Sequence, residues 1–518
     1  MITGFSLFLI FPPSCTKEGV NIALDGQVIN VTPLHTSDWH SRLLPYYMTV
    51  NQTDTGLGLK QANGPFGGAA RGAFILKREK AKADRVLHLD SGDIFQGAPI
   101  FNFFRGEAEM RVLSALGCDA AVIGNHEFDL GSDNLADQVQ RWANFPMLAV
   151  NYYFEDPKSV NIPPLGKVAV PFTIFNLKGL KVAVIGVGNT SSMGSIYETG
   201  NKHGITPMET VETIQFFVDL LKPQSDLIVI LSHLGLDEDE KMIRGTTGID
   251  LVLGGHLHIT LNPPKILEDC QTEEVKKAKD CVPRRIVLAH SGAFLKYVAR
   301  LDVAVKQSEE DPDDWEIISH SYQLFPVDST VPENQYVAEI LEPYVDKMKQ
   351  LIDLDLILGY SPGTLKRFSN TDGDSELGNL VATAIWTRPG IETDFALTNT
   401  NGIRDNIYPG PVTLDSMYQV FPFDNTISTV FMSGREVIEL FDYAARRTAA
   451  RGCNSQAQIA GARVVLKCGD CRESDLAKRP ANWPMPNPGA CALSIKIGGK
   501  DIDPDMQYSL ATNNYIAK

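Results

Sequence analysis

Five times between residues 28 and 325, a short apolar run stops abruptly at a polar turn carrying aspartate, asparagine or histidine: VTPLHTSDWHSR, VLHLDSGDIFQG, AVIGNHEFDLG, IVILSHLG and LVLGGHLH. Few folds accommodate such a pattern. Residues 86–89, 120–123, 147–150, 182–187, 227–231, 251–253 and 286–289 read as short buried strands. Stretches such as 108–116 and 210–221 between them carry helical periodicity instead. The alternation predicts a layered α/β domain, and in such domains ligands collect beyond one end of the strands, where these polar loops would lie.

The rest of the chain sets the borders. An acidic segment, QSEEDPDDW at 307–315, and a turn-rich break at 326–332 precede a stretch, 333–351, in which Ala338, Ile340, Leu341, Tyr344, Val345, Met348 and Leu351 recur near helical spacing. We therefore expect a signal-like or lipoprotein-like segment at 1–27, a first α/β domain at 28–325, a linker helix at 326–355 and a second α/β domain at 356–518. In the first segment an apolar core from Phe5 to Phe11 runs into Pro12-Pro13-Ser14-Cys15, which has the look of a secretory signal with Cys15 as a candidate lipid anchor. No apolar run reaches the roughly 20 residues of a spanning helix.

Lys plus Arg total 47 against 63 Asp plus Glu, a net charge of −16. That balance argues against binding a nucleic-acid polymer, and an anionic ligand would need metals or a local arginine cluster to offset the field. The eight cysteines include Cys270 and Cys281, which bracket a charged loop, and Cys468-Gly-Asp-Cys471, which lies between Cys453 and Cys491. Cysteines in loops predict disulfides and an oxidising compartment. Half a zinc site or a redox pair is the weaker reading of CGDC, because no second CxxC exists and no histidine follows residue 320.

In the five polar turns, Asp38 and His40 stand two apart and point to the same side of extended backbone. Asp93 follows Gly92, which allows a sharp turn; Asn125, His126 and Asp129 share one loop; His233 ends a strand; His256 and His258 follow Gly254-Gly255. Alone, each has a bland reading, since a histidine at a strand end is usually a hydrogen-bonded loop residue and an aspartate before a helix usually an N-cap. Together they outweigh it. Seven of the ten histidines fall in these segments, and five remain after setting aside His35 and His88. Imidazole with carboxylate oxygen is the ligand set of borderline divalent metals. The seven candidates Asp38, His40, Asp93, Asn125, His233, His256 and His258 exceed what one catalytic ion takes, so two divalent metal ions are expected, with Asp93 as the bridging carboxylate.

The order D-x-H, G-D, G-N-H-E-x-D, S-H-x-G, G-G-H-x-H resembles the calcineurin-like metallophosphoesterase signature, and GNHEFD with a long second domain is similar to the 5′-nucleotidase family. The resemblance covers nearly the whole chain. It implies a four-layer αββα metallophosphoesterase domain joined by a long helix to a C-terminal α/β nucleotide-binding domain. One ion would be held by Asp38, His40, Asp93 and His258, the other by Asp93, Asn125, His233 and His256. Zinc or manganese is expected, with iron, cobalt or magnesium as alternatives. A metal-bound hydroxide is the implied nucleophile, and His126 with Asp129 the implied catalytic dyad, the carboxylate holding a protonated imidazole toward charge that develops during phosphoryl transfer. Glu127 and His35 read as structural hydrogen-bonding neighbours.

In the second domain ALTNTNGIRDN supplies Asn399 and Arg404, VFPFDN supplies Phe423, ATNNYIAK supplies Tyr515, and Arg367 precedes a helix near Glu376. These positions match the family's nucleotide site, where two rings sandwich the base and Asn and Arg residues bind nucleoside and phosphate. Without the resemblance, Phe423 and Tyr515 read as core packing and Arg404 as a surface ion pair. The family's glycine-rich stretch after NxxxA has no counterpart before Lys518, so the chain is expected to end early. The resemblance also implies a site between the domains and a hinge-like rotation about residues 330–355.

The expectation is a periplasmic, envelope-attached or extracellular 5′-nucleotidase that releases phosphate from nucleoside 5′-monophosphates. A 2′,3′-cyclic nucleotide phosphodiesterase, a UDP-sugar hydrolase or an enzyme for a sulfur-linked substrate would share the metal centre. From another class, a catalytically silent nucleotide-binding surface protein would keep the fold.

Overall fold

Successive side chains along the apolar strands go to different cores. In the computed structural model, which describes residues 24, 26–154, 163–190, 204–308, 314–369 and 373–517, Leu87 and Leu89 enter one core, Ala120 and Val122 join them, and Ala121 and Ile123 enter another. Val182, Val184, Leu227, Val229 and Leu231 likewise share the first core, while Ala183, Ile185, Ile228 and Ile230 face a third. This period of two is the pleat of a strand buried on both faces. Positions 1–23 of the signal-like segment, Cys15 included, lie outside the described residues.

The chain divides between Met348 and Lys349 into two compact units. The first holds a seven-stranded sheet in the order Trp315–Pro326, Tyr297–Gln307, Ile29–Thr36, Val86–Asp90, Ala120–Val122, Met147–Leu148, Ala169–Val170. Its six-stranded second sheet runs Lys265–Glu268, Arg285–His290, Leu251–Gly254, Leu227–Ser232, Leu180–Val187, Phe172–Leu177. The core they share is the middle of a sandwich. Helices such as Ala69–Lys80 and Glu107–Ala115 cover the outer face of the first sheet, and Thr210–Leu221 and Leu236–Gly245 that of the second, which makes the four layers α, β, β, α. All seven expected strands are present. The one read as 147–150 is regular strand only at Met147–Leu148: Ala149 N–H still donates to Val170 of the first sheet at 2.9 Å, and Val150 N–H then donates to Gly186 of the second sheet at 2.7 Å.

Strands Ile29–Thr36, Val86–Asp90 and Ala120–Val122 are parallel neighbours with Thr36 level with Asp90, and Leu180–Val187, Leu227–Ser232 and Leu251–Gly254 are parallel with Ser232 level with Gly254. The polar turns leaving their carboxyl ends are thereby brought into contact across the two sheets.

The helix Gln335–Leu351 buries Val337, Leu341, Tyr344 and Met348 in the helix-covered core of the first unit, and Tyr344 donates to Glu107 at 2.7 Å. The second unit is built on a four-stranded sheet, Ile427–Ser433, Gln507–Asn513, Phe395–Asn399, Ala457–Ala460, with helix Gly434–Ala449 packed through Val437, Ile438 and Phe441. Disulfides join Cys270 to Cys281, Cys453 to Cys468 and Cys471 to Cys491. The two cysteines of CGDC thus take different partners, as loop staples do, and Cys118 is a buried free thiol.

Candidate metal centre

Five of the seven proposed ligands sit in left-handed backbone: Asp38 at φ 51°, His40 at 49°, Asp93 at 52°, His256 at 77° and His258 at 59°. Such conformations cost about 1–3 kcal/mol each for non-glycine residues and cluster at functional sites. Asp38 and His40 are therefore not on the extended backbone that their spacing suggested; the left-handed turns, not strand alternation, aim their side chains. Gly92 makes one of these turns possible: at φ 82° a Cβ there would meet Val122 O and Gly124 N at 2.8 Å. Gly255 does the same on the other sheet, where a Cβ would meet Ser37 Oγ at 2.5 Å.

The turns converge. Ligand atoms of Asp38, His40 and His258 lie within 4.8 Å of one another, as do those of Asp93, His233 and His256, and those of His40, Asp93 and His126. Asp93 stands in two of the groups, its Oδ2 lying 3.0 Å from His233 Nε2 and 3.8 Å from His40 Nε2. His40 Nε2 and His258 Nε2 face each other at 2.8 Å, with His258 Nε2 3.7 Å from Asp38 Oδ1. Asn125 Oδ1 is buried without a hydrogen-bond partner among the described residues.

The imidazole tautomers are set from behind. His40 Nδ1 donates to the Gln96 carbonyl at 2.7 Å, and His233 Nδ1 donates to the Ser91 carbonyl at 2.5 Å, so each presents the Nε2 lone pair inward. His256 N–H donates to both oxygens of Asp38, at 3.0 and 3.1 Å, which ties the second-sheet turn to the first.

Charge is stored here. Burial alone would raise the Asp93 carboxyl, but His233, His126 and His40 hold it well below its usual range. Burial opposes a charge on His233, yet Asp93 and Asp38 lift it to about 10, while burial pushes Asp38 up to about 6. Bare, the cluster keeps protons that a divalent cation would displace. Inward lone pairs, two carboxylates and an orphaned amide oxygen fit divalent metal ions with nitrogen and oxygen ligands.

His126 and Asp129 are brought together beside this cluster. His126 Nδ1 donates to Asp129 Oδ2 at 2.8 Å, and the His126 backbone N–H donates to Asp93 Oδ1 at 2.8 Å. The His126 ring lies 5.1 Å from that of His40.

Glu127 is the hydrogen-bonding neighbour its sequence position suggested. It is 0% exposed, and its carboxylate accepts from the N–H groups of Asp93 (3.1 Å), Ile94 (2.7 Å), Phe95 (3.2 Å) and Gly124 (2.7 Å). Burial and then the Asp93 charge push this carboxyl up to about 7, but with its acceptor positions taken by N–H donors only the ionised form satisfies the geometry. Glu127→Gln would set an amide NH₂ against N–H donors. We expect its affinity for divalent metal, read by titration against a fluorescent chelator, to fall about 10–100-fold, as when outer-shell partners of ligands are lost. Unchanged affinity would show that the two loops hold their shape without it.

In the second unit Arg367 Nη1 donates to the Ile403 carbonyl at 3.2 Å and to that of Arg404. The Arg404 guanidinium lies 5.7 Å from the Phe423 ring centre, and Asn399 Oδ1 accepts from Asn513 at 2.9 Å. Phe423 is half-buried and Tyr515, on the short helix Asn514–Ala517, is 46% exposed, so neither ring is core packing. Also unforeseen were Ser91, which orients His233, and Phe294, whose ring lies 5.5 Å from His40 and 4.9 Å from His258. Ser91 stands in a quoted motif; for Phe294 the neighbouring Gly292 was the only local hint.

A four-layer αββα sandwich with this cluster at the carboxyl ends of its strands defines the calcineurin-like metallophosphoesterase class, and the family model for calcineurin-like phosphoesterases matches residues 32–260. The model for the 5′-nucleotidase C-terminal domain matches residues 357–518. A 5′-nucleotidase of Vibrio parahaemolyticus is 30% identical over 473 residues, 83% of this chain and 77% of that protein. The snake venom 5′-nucleotidase of Gloydius brevicauda is 28% identical, covering 87% and 75%. Among solved structures, a 5′-nucleotidase precursor from Thermus thermophilus superposes with a TM-score of 0.76 at 25% identity, covering 94% of this chain and 90% of that one. The chain belongs to the 5′-nucleotidase family.

Proposed function

We propose that the protein is a two-metal phosphohydrolase that releases phosphate from nucleoside 5′-monophosphates. The convergence of inward imidazole lone pairs and carboxylates on Asp93 carries this reading. In it Asp38, His40, Asp93 and His258 hold one divalent ion, and Asp93, Asn125, His233 and His256 the other, zinc or manganese by ligand type. When bound, the ions supply an acidified water and a clamp on the phosphoryl oxygens. Asp129 keeps His126 oriented by the bond to Nδ1, so that the imidazole can stabilise charge on the phosphoryl or leaving oxygen. Arg367 and Arg404 supply positive charge for phosphate, Asn399 a contact to the nucleoside, and Phe423 and Tyr515 flat faces for a base.

Three disulfides support an oxidising compartment, periplasmic, envelope-attached or extracellular. No helix among the described residues is long and apolar enough to cross a membrane.

Phosphate release from AMP, bis(p-nitrophenyl) phosphate, a 2′,3′-cyclic nucleotide and UDP-glucose tests the reading. We expect AMP to be the best substrate, with activity falling at least about a hundred-fold on chelation and returning with manganese or zinc. Turnover of only the diester or the sugar nucleotide would keep the centre and move the substrate. No turnover by the metal-loaded protein would leave a silent nucleotide binder.

A further inference from the structure

Among the described residues three arginines are buried, Arg42, Arg71 and Arg479, and two of them have evident partners. Arg479 makes a bidentate pair with Asp442, and Arg71 donates to the Pro65 carbonyl and lies 3.6 Å from Glu333. Arg42 differs. It is 7% exposed and its Nε, like that of Arg71, is buried with no hydrogen-bond partner, but for Arg42 no carboxylate lies within ion-pair distance among the described residues. Its guanidinium carbon sits 4.7 Å from the Tyr46 ring centre and 5.4 Å from that of Phe294. Two aromatic faces soften the burial of a cation but do not neutralise it.

Arg42 stands two residues after His40, and Phe294, one of its two rings, is also the ring that packs against His40 and His258. That ring is fixed at both ends of its residue. Phe294 N–H donates to the Asp38 carbonyl at 2.8 Å, its own carbonyl accepts from Tyr46 Oη at 3.1 Å, and its φ of 61° is rare for a bulky residue. A positive charge with no ion-pair partner among the described residues therefore packs on the ring that flanks His40 and His258, in a chain whose net charge of −16 repels anions.

We propose that Arg42 contacts an oxygen of the phosphoryl group, its missing counter-ion being the substrate or product phosphate. The planar guanidinium suits such an oxygen, and the faces of Tyr46 and Phe294 flank it. The proposal rests on reading the centre as a phosphate site, so the test separates the two.

The probe is inorganic phosphate, titrated calorimetrically into the metal-loaded full chain. For Arg42→Met, which keeps an apolar stem between the rings, the dissociation constant should rise about ten-fold or more, as expected for loss of a charge-assisted hydrogen bond, with metal content and Tm unchanged. Arg42→Gln is read in the same way should the methionine variant not fold. Equal phosphate affinity in variant and wild type overturns the role of Arg42 alone. Loss of metal from the variant would make Arg42 a prop for the rings that flank the histidines and also overturn it. Failure of the metal-loaded wild type to bind phosphate would overturn the reading of the centre, and the Arg42 contact with it.

Discussion

Asp93→Asn is expected to lower phosphate release by more than about three orders of magnitude, because one substitution removes the carboxylate charge from two of the three groups of donors. Asparagine fills the same volume, and its carbonyl can still accept the His126 N–H that now meets Asp93 Oδ1 at 2.8 Å. The Glu127 bonds run to backbone and also survive. What is lost is the negative charge that faces His233 at 3.0 Å and His40 at 3.8 Å. Circular dichroism should therefore show an intact fold while elemental analysis of the purified variant shows depleted metal. Two ions per chain with near-normal turnover would remove Asp93 from its shared position.

His126→Ala should separate chemistry from metal binding. The side chain's contribution is the imidazole held by Asp129, whereas the contact to Asp93 is made by the backbone N–H and persists in alanine. Phosphate release should fall about 100–1000-fold, the usual effect of deleting a group that stabilises transition-state charge, with metal content equal to wild type. A drop accompanied by metal loss would place His126 among the ligands instead, as its grouping with His40 and Asp93 geometrically permits.

The strands of the first unit were legible because each apolar run is short, β-branched and closed by a polar turn. Seven of the thirteen strands in its two sheets were read this way; others, such as Phe172–Leu177, Tyr297–Gln307 and Trp315–Pro326, were not. Less could be read where a segment depends on distant partners. The run at 147–150 leaves its sheet after Ala149, where Val150 meets Gly186, a contact no local pattern records. The stretch at 333–351 has the apolar spacing of a helix, but spacing does not say which core it enters; Val337, Leu341, Tyr344 and Met348 join that of the first unit. In the second unit the half-buried Phe423 and exposed Tyr515 could not be told from core residues by their identity.

By itself the sequence determined the chemistry available: which aspartates, histidines and asparagine leave which strand ends, and hence a set of nitrogen and oxygen donors suited to divalent metals. Only the tertiary structure decided how they are aimed. The ligand-bearing turns are left-handed at Asp38, His40, Asp93, His256 and His258, and the groups behind them come from other loops: the carbonyls of Gln96 and Ser91 that turn imidazole lone pairs inward, and the N–H groups of Asp93, Ile94 and Phe95 that meet Glu127. Donor identity is a local property of a side chain. The direction of its lone pair is set by what packs and hydrogen-bonds behind it, and that requires two sheets to meet.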